Sequence, residues 1–301
     1  MAEKSKILII GGTGYLGKFM VEASVKSGHQ TFALVRKSTV SDPVKGKLVD
    51  NFKNSGVTVL YGDLHEHESL VKAIEQVDVV ISTVSEPKAD QVKIIAAIKE
   101  AGNIKRFFPS EFIMEIDLKH AVEPLKSMFE VVLQIRRAVE AKGIPYTYVS
   151  SKLFTCLYIR SLLQIEATTS TSNKITILGD GNTKVVFNDE HDIATYSIKA
   201  VDDPRTLNQM LHLRLPKNIY SVNELVSLWE EKSGKTLERI YVPEEQILKD
   251  LQDAPFETRF ELSINHSVFL REEPNSEGVE ASELYPDVKY TTVEEYLDHF
   301  V

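Results

Sequence analysis

Four apolar residues, Ile7 to Ile10, run straight into Gly11-Gly-Thr-Gly-Tyr-Leu-Gly17, and helix-forming residues follow at once. This junction limits the fold more than any other feature of the chain. Gly12, Gly14 and Gly17 have the spacing of a strand-to-helix turn that admits a dinucleotide. Gly12 permits a turn that side chains would block, Gly14 lets backbone N–H groups approach a pyrophosphate, and Gly17 lets the new helix pack close to the sheet. The helix then turns its positive end towards the phosphates. Gly11, Gly12, Thr13, Gly14, Tyr15, Leu16 and Gly17 are therefore the first candidate cofactor residues. The competing reading is a structural turn that merely requires glycine.

The next strand, predicted over Thr31 to Val35, selects among dinucleotides. An acid about twenty residues beyond the glycines would bond a ribose 2′-hydroxyl, whereas an arginine there accommodates a 2′-phosphate. This chain has Arg36-Lys37 at the strand tip and Lys45 a little later, with no carboxylate at the tip. Arg36 and Lys45 thus point to NADP(H), with a solvated basic loop as the alternative.

A chain of 301 residues with 43% hydrophobic content can bury a substantial core. Its net charge of -9 disfavours a nucleic-acid partner, which needs a basic face, and favours a small molecule. Cys156 is the only cysteine, which rules out an internal disulfide and any site built on several thiolates. No metal site is expected: in His65-Glu-His-Glu, alternate residues at a helix start do not share a face. A reducing, cytoplasmic setting is expected, with no signal peptide and no apolar run long enough to span a membrane.

Apolar runs recur at Ile7 to Ile10, Thr31 to Val35, Val57 to Tyr61, Val77 to Ser82, Lys105 to Phe108 and Pro145 to Val149. Helical stretches are predicted between them over Tyr15 to Ser27, Glu66 to Glu75 and Lys88 to Ala101. This alternation predicts an α/β fold with a doubly wound parallel sheet. The pattern changes after Ser151, which gives an expected Rossmann domain over 1–151 and a smaller C-terminal α+β substrate lobe over 152–301. Within the latter, Ala167 to Asn173 reads as an exposed loop and Lys174 to Leu178 as a strand.

Several longer segments carry a family resemblance. They are the glycine turn, Arg36, Pro109-Ser-Glu-Phe, Ile135-Arg-Arg, Gly143-Ile-Pro-Tyr-Thr-Tyr-Val-Ser-Ser, Ile177-Leu-Gly-Asp-Gly, Ala200-Val-Asp-Asp-Pro-Arg-Thr-Leu-Asn and Val279-Glu-Ala-Ser-Glu-Leu-Tyr-Pro-Asp-Val-Lys-Tyr-Thr-Thr. Together they resemble the plant isoflavone reductase-like family, which includes phenylcoumaran benzylic ether and pinoresinol-lariciresinol reductases and belongs to the NmrA-like atypical short-chain dehydrogenases. The resemblance runs from end to end. It implies a Rossmann fold with a small C-terminal lobe and NADPH-dependent hydride transfer to phenylpropanoid-derived phenolics. It also implies that Arg136 reaches the cofactor, with a surface ion pair as the alternative, and that His266 bonds a phenolic oxygen, with a satisfied core histidine as the alternative.

The same resemblance exposes departures. The family's catalytic lysine falls in a Phe-x-x-Lys segment before Ile-Arg-Arg, and here that segment reads Phe129-Glu-Val-Val132, so no catalytic residue is assigned. Leu125, Met128, Phe129, Val132, Ile135 and Val139 form one apolar helical stripe, on which a lysine would be desolvated and its pKa lowered. Lys126 is a poor substitute, being roughly 120° away around the helix. Tyr148-Val-Ser-Ser-Lys152 imitates the Tyr-x-x-x-Lys of ordinary short-chain dehydrogenases, but it reads as strand and loop, where four-residue spacing does not align side chains. The family usually has asparagine at Lys152, glycine-rich sequence at Ile113-Met-Glu, glycines in the loop Ser82-Thr-Val-Ser-Glu-Pro-Lys and glycine at Cys156, and the resemblance implies that these positions surround the nicotinamide pocket. These substitutions leave three readings open: a reductase working without the usual base, a cofactor-binding sensor or interaction protein with little turnover, or an enzyme with an altered reaction.

Overall fold

In a computed structural model, residues 4–84, 90–163, 173–274 and 276–301 are described. The chain begins with β1 (Ile7–Ile10), α1 (Gly17–Lys26), β2 (Thr31–Val35), α2 (Lys37–Val40), α3 (Lys45–Asn54) and β3 (Thr58–Tyr61). There follow α4 (His67–Ile74), β4 (Val79–Ser82), α5 (Gln91–Ala101), β5 (Arg106–Phe108), α6 (Leu125–Ala141) and β6 (Thr147–Ser150). The chain continues through β7 (Leu153–Phe154), α7 (Thr155–Leu162), β8 (Lys174–Leu178), β9 (Val185–Asn188), α8 (Glu190–Ala200) and β10 (Gln209–His212). It ends with β11 (Ile219–Tyr220), α9 (Val222–Ser233), β12 (Glu238–Val242), α10 (Glu244–Asp253), α11 (Phe256–Phe269), β13 (Val279–Glu280), α12 (Ala281–Leu284) and α13 (Val293–Leu297).

Two compact units share these elements. The first comprises Met1–Phe112, Val131–Val149 and His191–His212; the second comprises Ile113–Glu130, Ser150–Glu190 and Leu213–Val301. The chain thus passes between units several times. α6 starts in the second and finishes in the first, and a later excursion returns α8 and β10 to the first unit.

The first unit has a five-stranded parallel sheet in the order β3-β2-β1-β4-β5. Every residue of β1, β2, β4 and β5 is buried, as expected of parallel strands covered on both faces, and this explains their uninterrupted apolar runs. β3 occupies an edge and is correspondingly half-exposed. Leu8, Ile10, Phe32, Ile74, Ile94 and Phe107 lie at the centre of the core, and Ile135 and Val139 of α6 join it. Of the apolar stripe anticipated on α6, Leu125, Phe129, Val132, Ile135 and Val139 are buried and Met128 is half-buried.

The sixth apolar run behaves differently from the first five. An isolated parallel bridge joins Phe107 to Tyr146, but β6 pairs with β10 rather than completing the five-stranded sheet. Arg106 explains part of this arrangement. Its buried guanidinium donates to the carbonyls of Ala200 and Asp203 and to Thr206 Oγ1, the latter two at 3.0 and 2.8 Å, tying the segment before β10 to β5.

In the second unit Leu153, Ile159, Ile177, Phe187, Leu225 and Trp229 form a separate core. β8 pairs in parallel with β12, and β9 lies between β7 and β11. α9 starts from a complete capping box, in which Ser221 Oγ accepts from Glu224 N and Glu224 accepts from Ser221 N. Lys174–Leu178 is a strand as predicted, while most of the exposed loop expected over Ala167 to Asn173 lies outside the described residues. Among the described residues, no helix is long and apolar enough to cross a membrane.

Candidate cofactor and substrate sites

The carboxyl ends of β1, β2, β3 and β4 surround a cavity of about 270 Å³. β1 lies between β2 and β4, so the chain reverses its direction of winding at this point, where open α/β sheets bind ligands. The lining includes Gly11, Thr13 and Gly14 from the first turn, Arg36 from the end of β2, and Lys45 from the start of α3. The sequence-predicted turn and cations are therefore brought together in space.

The turn's geometry explains its residue types. Gly11 has φ +87°, a left-handed conformation, and a Cβ there would meet Thr83 atoms at 2.9–3.0 Å. Gly14 N donates to Gly11 O at 2.8 Å, closing the loop. A Cβ on Gly17 would come within 2.1 Å of Gly11 O, so this glycine is required by the close approach of α1 to the turn. A Cβ on Gly12 would meet the Val21 side chain at 3.1 Å. Leu16 is buried and Tyr15 packs edge-on to Phe19, so these two shape the turn without lining the cavity. The first turn of α1 has no side-chain cap and no acidic residue, so no carboxylate offsets the positive end of the helix, although Lys18 N and Phe19 N already donate to Gly14 O and Leu16 O at 3.4 and 3.1 Å.

Arg36 is exposed and has no ion-pair partner among the described residues. Lys45 is fixed at the start of α3 because Asp42 Oδ1 accepts from the backbone N–H groups of Lys45 and Val44 at 2.8 and 2.9 Å. Those donors, Lys45 first, hold the Asp42 carboxyl below its usual range. The apposition of a glycine turn, an uncapped helix and two cations fits a dinucleotide carrying an additional phosphate. Sequence reasoning did not single out for the cofactor Thr39, Gly62, Asp63, His65 and Asp90, which also line the cavity together with Thr83. The expectation that strand-end loops carry the chemistry points to Gly62–His65 and Thr83, but the register that gathers them is visible only in the folded sheet.

Arg136 is not among the residues lining this cavity. Its guanidinium forms a forked ion pair with buried Glu111, with contacts of 2.6–3.0 Å, and stacks 5.0 Å from the Tyr148 ring centroid. Tyr148 Oη donates to Arg136 O or Glu140, each at 3.2 Å, and burial followed by Glu140 pushes its phenol far above its usual range. A phenol so buried and surrounded by acids is a poor proton donor. Val132 is 1% exposed.

A second cavity, about 40 Å³, lies within the second unit. Lys152, Glu115 and Glu273 line it together with apolar atoms of Met114, Leu153, Val186 and Val268. The Lys152 side chain is 3% exposed, and its ammonium lies 2.8 Å from both Glu115 Oε1 and Glu273 Oε1. Ser276 donates to the other oxygen of Glu115 at 2.6 Å. Arg214 lies 3.9 Å from Glu115 and 3.7 Å from Glu273, and it pairs with Glu280 at 2.5 Å. Lys152 has φ +64°, a left-handed conformation that costs a non-glycine residue about 1–2 kcal/mol. Sequence reasoning noted Lys152 and Ile113-Met-Glu as departures around one pocket but missed that Lys152 and Glu115 compensate each other's charge.

His266 does not line this cavity. It is 2% exposed on α11, with Nε2 2.9 Å from Glu244 Oε1 and Nδ1 unpartnered among the described residues. Arg271 pairs with the same carboxylate, and Arg271 followed by His266 lowers the Glu244 pKa.

Comparison with known proteins places this geometry in context. The NmrA-like family model matches residues 3–297. An isoflavone reductase-like protein of Olea europaea and eugenol synthase 1 of Petunia hybrida are each 66% identical over the full length of both chains. Phenylcoumaran benzylic ether reductase TP7 of Nicotiana tabacum is 65% identical, also over both full lengths. A crystal structure of isoflavone reductase superposes with a TM-score of 0.92 at 49% identity, covering 99% of this chain and 100% of that one. The structure of AtPrR2 with NADP+ and (+)pinoresinol has a TM-score of 0.91 at 38% identity, with both chains fully covered.

Proposed function

This chain belongs to the NmrA-like family, and on that premise we propose that it is an NADP(H)-dependent reductase of plant phenylpropanoid-derived phenolics. The observation that carries the reading is the meeting of the glycine turn, Arg36 and Lys45 at the sheet's reversal point. The relatives described above include eugenol synthase and phenylcoumaran benzylic ether reductase, and AtPrR2 is solved with NADP+ and a phenolic ligand. Those names support the reaction class, and the local geometry supports the coenzyme.

In this reading Gly11, Thr13 and Gly14 seat the pyrophosphate, the open N-terminus of α1 complements its charge, and Arg36 with Lys45 takes the 2′-phosphate. NADPH supplies a hydride when bound. The second unit supplies the substrate surface. Arg136 acts through the surface it braces, by holding Glu111 and Tyr148, and His266 contributes to substrate placement through α11.

Val132 governs how fast such a protein turns over. The family resemblance assigns a lysine to this position, whereas a buried valine has no proton to exchange. A positioned base contributes on the order of 10²–10⁴ in rate, so slow turnover is expected on substrates that need proton transfer. This also favours a second reading, a cofactor-binding protein with little turnover. Single-turnover oxidation of bound NADPH with a panel of phenylcoumarans, lignans and isoflavones separates the two. Slow oxidation by at least one compound supports the reductase; tight NADPH binding with no oxidation by any of them supports the binding protein.

A further inference from the structure

We propose that Lys152, Glu115 and Glu273 form a hydroxyl-recognition subsite, which takes the neutral phenolic O–H of a ligand and discriminates against its ether or its anion. The inference rests on the reading above for the ligand's class and deepens it by naming the group recognised. Three observations converge on it. An ammonium carries three N–H donors, and the described residues use two of them, at Glu115 and Glu273. The lysine is buried beside a cavity, not extended into solvent. Its backbone is held in the left-handed region, a departure of the kind that collects at ligand sites.

Size and charge define the group that fits. About 40 Å³ admits a hydroxyl or a water but not an aromatic ring. The ring must therefore stay outside this volume, with only its oxygen inside it and near the ammonium. Lys152 and Arg214 supply two positive charges against the three negative ones of Glu115, Glu273 and Glu280, and the other charged residues of the lining balance, Lys184 and Arg271 against Asp117 and Glu272. The cluster is thus net negative, in surroundings that screen charge poorly, and it repels a phenolate. A neutral phenol satisfies both sides by accepting from Lys152 and donating to a carboxylate. Methylation removes the donor and adds bulk.

Calorimetric titration of the full chain with eugenol and with its methyl ether tests this without cofactor. The wild type is expected to bind eugenol at least about tenfold more tightly than the ether, because only the phenol can donate a charge-assisted hydrogen bond to a carboxylate. Lys152→Met is expected to reduce that preference below about threefold, while Lys152→Arg, which keeps charge and donors, retains much of it. A nitrophenol followed by absorbance gives a readout independent of the folding of Lys152→Met. Wild-type affinity should fall at least about tenfold as the nitrophenol ionises, and Glu273→Gln, which neutralises the cluster, should cut the loss below about threefold. Equal affinity for phenol and ether, a preference that survives Lys152→Met, indifference to nitrophenol ionisation, or failure to bind any of these probes would each overturn the subsite. A parallel NADPH titration keeps the two ideas apart: a phenol preference without NADPH binding counts for the subsite and against the reductase.

Discussion

Gly17 and Glu244 show how single residues hold this molecule in a working shape. At Gly17 a methyl group would overlap Gly11 O, and relief requires the turn or α1 to move. Gly17→Ala is expected to cost about 1–3 kcal/mol of stability through overpacking and to weaken NADPH binding with it; thermal denaturation and fluorescence titration read the two effects. Glu244 accepts from Arg271 and His266, which hold its folded pKa below the ordinary value of 4.5. Its contribution to stability is therefore fully present above that value and lost as pH falls through the lowered one. The carboxylate is a third exposed, so solvent screening keeps the contribution on the order of 1 kcal/mol or less. Glu244→Gln should lower the melting temperature at neutral pH and leave it nearly unchanged in strong acid. Individual residues were legible in the sequence to different degrees. Gly11 to Gly17 and Arg36 could be read because turn chemistry and a missing acid are local signals. The Lys152–Glu115–Glu273 cluster could not, since its members come from three distant segments.

α6 carries a conflict between packing and chemistry at the scale of an element. Its stripe was legible from three- and four-residue spacing, and Val132 belongs to it as a buried core residue. Val132→Lys would place an amine where desolvation lowers its pKa into a useful range, at the expense of apolar burial. We expect NADPH oxidation with a responsive phenolic to rise by about 10²–10⁴ if proton transfer is limiting, with a lower melting temperature. No gain in a folded Val132→Lys variant would mean that another step limits turnover. β6 shows where pattern reading ends. Its apolar run was visible, but pairing with β10 depends on Arg106 gathering the carbonyls of Ala200 and Asp203, a contact spanning some ninety residues of chain.

One interleaved chain forms two compact units, and each has a core and a cavity of its own character. The parallel sheet was legible because strands buried on both faces produce unbroken apolar runs, whereas the return of His191–His212 to the first unit has no local signature. Saturating NADPH should slow amide exchange around Gly11–Gly17, Arg36, Lys45, Gly62–His65 and Thr83; at a hundredfold excess over Kd the stabilisation is about 2.7 kcal/mol. Exchange mass spectrometry checks which cavity responds, and protection confined to the second unit would misplace the coenzyme. The most direct measurement compares the affinities of NADPH and NADH for the wild type and Arg36→Ala by fluorescence titration. A charge-assisted contact contributes about 1.5–3 kcal/mol, so the wild type should prefer NADPH by at least about tenfold, and Arg36→Ala should lose most of that preference while NADH binding changes little. Equal affinity of the wild type for both coenzymes, or an unaltered preference in Arg36→Ala, would contradict the cofactor site on which the proposed function depends.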